Sequence, residues 1–303
     1  MQTNNKVLIA IPCLLLGGTE YQTLYHIKAL NENGYAVTVL CYFEYDQTMV
    51  SYMREAGADV KLMTASGERP ARFMEVFNVL FTGFRKALKE VRPDVIHVQY
   101  LAPGSLSILL FKLLRAKKVI VTAHVPGHIY RYKWIPQFIA KHLTESFLCV
   151  SKSSEEDFFE EEAQEFTKEL FGKGRKHFTI YNCIETDISN SNTGTDHSTF
   201  NIQHSTFTLG IVSRLSHEKG IDVLISAMPM ILKHNPNVKL LIVGEGAEKE
   251  KLNELAEKLK VSDAITWAGL QSKDSLAEFY SQMDVVVVPS RFEGFGLTAI
   301  EAM

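Results

Sequence analysis

Four charged side chains in the last third of the chain, Arg214, Lys219, Glu293 and Glu301, are of the types that together hold a phosphorylated, polyhydroxylated ligand. A guanidinium fork beside a compact ammonium suits a diphosphate, because arginine can bond two oxygens at once. Carboxylates accept hydrogen bonds from vicinal hydroxyls. Glu293 precedes the glycine turn Gly294-Phe295-Gly296, and helix formers begin at Leu297, which places Glu301 about one turn into a helix. The amides of Gly294, Phe295, Gly296 and Leu297 then sit where a helix N-terminus attracts an anionic phosphate, and glycine permits the close approach. Each residue alone also has a blander reading, as a surface cation, a turn carboxylate or a solvent-facing helix residue. The combination of strand, glycine loop and paired carboxylates outweighs it.

What must position these groups is a parallel sheet. Short β-branched apolar runs alternate with segments of helical period, the pattern of an α/β fold. In the first half the strand candidates are Val7–Ile11, Ala36–Tyr42, Asp59–Met63, Val95–Val98, Lys118–Thr122, Phe147–Val150 and Phe178–Tyr181; in the second they are Phe207–Val212, Val238–Val243, Ala264–Trp267 and Val285–Val288. Two Rossmann-like halves result, with Arg214, Lys219 and Glu293 in loops at the carboxyl edge of a sheet, where open α/β sheets bind ligands. Val285–Val288 reads as a buried strand. The polar stretch NSNTGTDHSTFN marks an interdomain connection, so the expected division is an N-terminal acceptor-side domain over 1–184, a connection over 185–205 and a ligand-binding domain over 206–303. The acidic stretch Glu155–Glu169 reads as a solvent-facing helix opening after Ser151, an N-cap residue.

Composition narrows the function classes. The chain of 303 residues is 46% hydrophobic and 22% charged, which is ordinary for globular domains. A net charge of -3 gives it no general pull toward nucleic acid. Four widely spaced cysteines, Cys13, Cys41, Cys149 and Cys183, suggest neither a disulfide framework nor a zinc cluster, and fit a reducing, cytoplasmic compartment. Lys6 and the run Val7–Leu16 imitate a signal peptide, but no small-x-small cleavage site follows and Gly17-Gly18-Thr19-Glu20 reads as a turn entering a helix; no apolar run reaches the length of a membrane span. From Val95 to Thr144 there is no acidic residue, while Lys112, Arg115, Lys117, Lys118, Arg131, Lys133 and Lys141 are basic. That block, with the aromatic-rich segment His128–Trp134, reads either as a peripheral contact with anionic membrane at its inner face or as a solvated surface over core-facing aromatics.

These residues resemble those of the family 4 retaining glycosyltransferases. The likeness is carried by Gly17-Gly18-Thr19-Glu20, His124 after its strand, Tyr181-Asn182, Arg214 to Gly220, Val243-Gly244-Glu245-Gly246, and above all Pro289 to Met303 with its E-x7-E at Glu293 and Glu301. The resemblance implies a GT-B fold: two Rossmann-like domains with parallel sheets facing a cleft. It implies a sugar moved from a UDP- or GDP-sugar, which is a substrate and not a cofactor, to a glycan, lipid-linked or other hydroxyl acceptor. Arg214 and Lys219 would hold the donor diphosphate with amides from Gly294, Phe295, Gly296 and Leu297. Glu301 would take the ribose hydroxyls and Glu293 the donor sugar. Gly17, Gly18 and Gly244 would allow close backbone approach, and His124 would contact the sugar. With no D-x-D triple in the chain, transfer is expected to need no metal, and the leaving phosphate to accept the proton.

The chain departs from that family at Asn182-Cys183-Ile184-Glu185, where Asn-Gly-Ile-Asp is usual. The resemblance also implies further strands and a terminal helix after Met303, so the second domain is expected to be incomplete. Two other readings stand beside it: an inactive truncated fragment of such an enzyme, and a nicotinamide-dependent dehydrogenase using Gly244-Glu245-Gly246. The latter lacks a third glycine, because Lys249 stands in its place.

Overall fold

The computed structural model describes residues 5–101, 104–171, 174–184 and 206–303. The chain divides into two compact units, Met1–Cys183 and Ile184–Met303. The connection read over 185–205 lies outside the described residues.

Unit 1 runs β1 (Lys6–Ile11), α1 (Gly18–Glu32), β2 (Ala36–Cys41), α2 (Gln47–Glu55), β3 (Asp59–Leu62), α3 (Phe73–Val91), β4 (Val95–Gln99), α4 (Gly104–Leu113), β5 (Val119–Ala123), α5 (Trp134–Phe138), β6 (Ser146–Cys149), α6 (Lys152–Phe159) and β7 (His177–Thr179). Its seven strands lie in the order β3-β2-β1-β4-β5-β6-β7, every neighbour parallel. Alternate residues of β1 feed two cores, because strand side chains point to opposite faces. Leu8 and Ala10 join the layer under α3 and α4 with Leu80, Phe84, Ile108 and Phe111. Val7, Ile9 and Ile11 join the layer under α1 and α2 with Leu24, Ile27, Met49 and Met53. Burial on both faces is why β1 reads as a continuous apolar run after Lys6.

Unit 2 runs β8 (Phe207–Val212), α7 (Ile221–His234), β9 (Val238–Val243), α8 (Lys249–Lys258), β10 (Ile265–Gly269), α9 (Lys273–Ser281), β11 (Val285–Val286) and α10 (Leu297–Glu301). Its parallel sheet has the order β10-β9-β8-β11. Ile211, Leu240 and Ile242 pack with Leu224, Ile225 and Met228 of α7. Val212, Leu241 and Val243 face the other way, against Leu276, Phe279 and Met283.

The structure corrects three expectations. Val285–Val288 is not a buried strand. Only Val285 and Val286 pair with β8, and Val285 is 43% exposed. Among the described residues β11 lies at one edge of the sheet, and Pro289 behind it has no N–H to continue a ladder. The strand expected at Phe178–Tyr181 instead spans His177–Thr179, since its partner β6 stops at Cys149 and the exposed Tyr181 turns its hydroxyl to Glu165. The acidic stretch is not one solvent-facing helix. Ser151 does cap α6, its hydroxyl accepting from the Ser154 amide, but the helix stops at Phe159 with Glu160 left-handed. Glu155 is fully buried, where it accepts hydrogen bonds from Arg175 at 2.7 Å and Thr179 at 2.6 Å and lies 2.9 Å from His177. These bonds hold its carboxyl below the usual range against the desolvation that would raise it.

Candidate functional site

In unit 2 the strand order switches between β8 and β11, the place where ligands of open α/β sheets bind. The loop after β8, Ser213 to Gly220, and the loop after β11, Val287 to Gly296, meet there. Gly220 has a left-handed φ of 65°, and a Cβ on it would fall 2.1 Å from the carbonyl oxygen of Pro289. Only glycine lets the two backbones touch.

Lys219, at the end of a short 3-10 turn His217–Lys219, places Nζ 2.7 Å from Glu293 Oε1, and the Ser290 hydroxyl donates to the same oxygen at 2.7 Å. The Lys219 side chain is 19% exposed. Arg214 is largely exposed and lies 3.4 Å from Glu218, whose carboxylate also accepts from Ser216 at 2.6 Å. Burial alone would raise the Glu218 carboxyl, but the Ser216 bond and the neighbouring cations hold it below its ordinary value. Gly296 is left-handed at φ 86° and turns the chain into α10, a helix of five residues. On α10, Glu301 accepts from the Tyr280 hydroxyl at 3.2 Å. The structure thus joins Lys219 directly to Glu293, sets Arg214 on the same loop as Lys219, and anchors Glu301 to α9.

The turn Gly244-Glu245-Gly246 follows β9. A Cβ on Gly244 would come 1.9 Å from the Ser213 carbonyl oxygen, and one on Gly246 would come 2.3 Å from that of Leu215. Both glycines therefore serve close packing of this turn against the β8 loop, reinforced by the Leu215 amide donating to Glu245 and the Glu248 amide to Leu215. Packing between the two loops accounts for both glycines without a ligand.

Gly17, Gly18 and His124 belong to unit 1. Gly17 is the extended N-cap of α1, which Gly18 opens. His124 follows β5 and is buried. Its Nε2 lies 2.7 Å from Gln99 Oε1, its ring packs on Tyr100 at 5.1 Å, and Nδ1 is shut off from solvent with no hydrogen-bond partner among the described residues. His97, half-buried and 2.7 Å from Thr122, packs its ring 5.7 Å from that of the half-buried His26. Burial lowers both His97 and His124 to about 3, so both rings are neutral near pH 7.

Sequence reasoning missed two connections. Gln22, buried on α1, bonds both main-chain groups of Cys183: its amide nitrogen donates to the carbonyl, and its Oε1 accepts from the N–H at 2.9 Å. Arg291 makes two parallel bonds to Asp222, at 2.9 and 2.6 Å. Neither has a local pattern by which it could have been found.

Among the described residues no helix is long and apolar enough to cross a membrane.

The family profile "Glycosyltransferase Family 4" matches residues 16–187 and that of "Glycosyl transferases group 1" matches residues 193–303. The O-antigen biosynthesis glycosyltransferase WclY of Escherichia coli is 28% identical over 244 residues, covering 75% of this chain and 64% of that protein. The alpha-monoglucosyldiacylglycerol synthase of Streptococcus pneumoniae is 28% identical over 240 residues, 74% of this chain and 53% of that protein. The chain thus spans less than two thirds of the length of these relatives. Among solved structures, HepE of Anabaena in complex with UDP and glucose superposes with a TM-score of 0.72 at 16% identity, over 98% of this chain and 78% of that one. The profile over 16–187, the profile over 193–303 and the parallel α/β units agree: the chain belongs to glycosyltransferase family 4, with the GT-B fold.

Proposed function

We propose that the protein is a retaining glycosyltransferase that moves a sugar from a UDP- or GDP-sugar to a hydroxyl acceptor on a glycan or lipid-linked substrate. The observation that carries this reading is the Lys219–Glu293 contact at the strand-order switch of unit 2, where two loops bring a cation and a carboxylate together. Lys219 and Arg214 neutralise the diphosphate, and the backbone of Gly294, Phe295, Gly296 and Leu297 lines its path. Glu293 orients the donor sugar, and Glu301 takes the ribose hydroxyls. Gly244 serves indirectly, by letting the turn after β9 brace the Arg214 loop. For Gly17 and Gly18 the proposed role is close backbone approach to phosphate, and for His124 a hydrogen bond to a sugar hydroxyl.

As the glycosidic bond breaks, negative charge grows on the leaving phosphate, and cations fixed beforehand stabilise it where it develops. The departing phosphate oxygen then takes the acceptor's proton, so no separate base is required. Lys219 and Arg214 supply the positive charge that a D-x-D-bound metal gives elsewhere, and the chain needs no cofactor. UDP-glucose, UDP-galactose and GDP-mannose are to be compared as stabilisers of the chain. The matching donor at about 100 times its Kd adds about 2.7 kcal/mol to the native state, a rise of several degrees in Tm. Turnover with that donor should give the retained anomer by NMR and should survive EDTA. An inverted product, or activity restored only by added magnesium or manganese, would refute the corresponding part. Donor binding without turnover would select the inactive-fragment reading.

A second reading concerns unit 1: peripheral contact with anionic membrane. It is favoured by Trp134 and Phe138, one turn apart on α5 and 64% and 49% exposed, beside the exposed Arg131, Tyr132 and Lys141. Tyr130 instead packs inward on Phe158 at 5.5 Å, and Lys133 is held by Asp157 at 3.2 Å and Glu160 at 3.5 Å. Cosedimentation with phosphatidylglycerol vesicles should weaken about tenfold in the Trp134→Ala, Phe138→Ala double variant, and should weaken with salt. Equal binding by the double variant would rule this surface out.

A further inference from the structure

We infer that Arg291 and Asp222 form a positioning clamp that holds the two loops of the unit 2 site in register when a ligand draws Lys219 away from Glu293. The inference rests on the donor-site reading. Arg291 reaches across from the β11 loop in three ways. Its guanidinium meets both oxygens of Asp222, at 2.9 and 2.6 Å. Its Nη1 also donates to the His217 carbonyl at 2.6 Å. Its own amide donates to the Glu218 carbonyl at 2.8 Å. These partners lie on both sides of Lys219: His217 and Glu218 in the 3-10 turn before it, and Asp222 in the first turn of α7 after it.

The geometry separates two kinds of bridge between the loops. Lys219 to Glu293 is a bridge made of the very groups proposed to serve the donor, so a diphosphate and a sugar compete with it for the ammonium protons and the carboxylate oxygens. Arg291 to Asp222 uses groups for which the donor has no role, and it can persist throughout. A guanidinium–carboxylate fork fixes orientation as well as distance, which a single ammonium contact does not. The Asp222 carboxyl is held below its ordinary range chiefly by this arginine, so the pair stays charged at neutral pH.

The test uses the full chain with Arg291→Gln, Arg291→Lys, Asp222→Asn and the Arg291→Gln, Asp222→Asn double variant. UDP and GDP are the probes, titrated calorimetrically. Each single variant should weaken binding of whichever nucleotide the unaltered chain takes by about tenfold, in keeping with a partly exposed but bidentate pair. Lysine should not rescue, and the double variant should be no worse than Arg291→Gln. Tm should move little, as for any partly exposed pair, so that the loss of affinity is not a loss of folded protein. Native hydrogen exchange of the free protein is a second readout that needs no ligand: amides over 214–220 and 290–296 should exchange faster in the variants. Unchanged exchange in both loops overturns the clamp, as does nucleotide affinity equal to that of the unaltered chain. If the unaltered chain binds neither nucleotide, the donor-site reading fails, while the exchange data still decide whether the clamp exists. If Arg291→Gln proves unstable, Asp222→Asn preserves shape and decides the same question.

Discussion

Lys219→Met should lower kcat for donor turnover by about 10²–10³-fold, the range seen when one preorganised charge-stabilising donor is removed, with the fold intact. Two magnitudes separate this from simple destabilisation. The Lys219–Glu293 pair is partly exposed, with side-chain exposures of 19% and 27%, and pairs of that kind contribute about 1 kcal/mol or less to stability. That corresponds to a shift of a few degrees in Tm for a chain of this size. In the proposed mechanism, by contrast, charge developing on a leaving diphosphate would meet Lys219 in the transition state, where its loss would cost several times more. Steady-state kinetics and a melting curve on the same preparation check it. A variant that keeps kcat within about threefold of the unaltered chain would remove Lys219 from the proposed mechanism.

Gly244→Ala should be the most damaging small substitution in unit 2. At φ 136° the backbone lies where L residues are strained, and the added Cβ would sit 1.9 Å from the Ser213 carbonyl oxygen. That neighbour cannot swing aside as a side chain would, because the Ser213 amide is pinned to the Val243 carbonyl at 3.0 Å. Backbone strain of about 1–3 kcal/mol adds to a displacement of the β8 loop, so a total of about 3 kcal/mol or more is expected, at the severe end for point substitutions. Gly34→Ala is the control. Gly34 is also left-handed, at φ 80°, but nothing lies within 4 Å of its added Cβ, so only about 1 kcal/mol is expected. Urea denaturation of both variants, read against the unaltered chain, tests the contrast. Equal midpoints for the two variants would mean the contact at Ser213 relaxes without cost.

Much of the fold follows from local pattern. β8 at Phe207–Val212 and β9 at Val238–Val243 coincide with their apolar runs, because the carboxyl halves of both strands are buried and the polar Thr208 and Lys239 fall near their starts. The glycine turn entering α1 and the serine cap of α6 are equally local, since each is set by residues within one helical turn. Glu155 marks the limit. In a run of acidic residues its type says surface, and the Gln164 amide together with Arg175, His177 and Thr179, from β7 and the segment before it, makes burial tolerable. The site divides in the same way. Lys219, Glu293 and the glycine turn are visible as motif residues, whereas Arg291 and Asp222 matter through a pairing between segments far apart in sequence. His124 was visible only by resemblance, and its enclosure by Gln99 and Tyr100 comes from neighbouring strands.

The arrangement of unit 2 also sets an order of assembly. Parallel strands cannot be joined by a hairpin, so each pairing must wait for an intervening crossover to form. β8 meets β9 early, but its other neighbour β11 pairs Val285 with Leu209 only after α7, β9, α8, β10 and α9 have intervened. On a chain made from its N-terminus, Lys219 therefore leaves the ribosome well before Glu293 exists. The sheet can settle around β8, β9 and β10 with Lys219 still lacking its carboxylate partner. The proposed donor site therefore forms later than the sheet core of β8, β9 and β10, because it needs residues that follow β11.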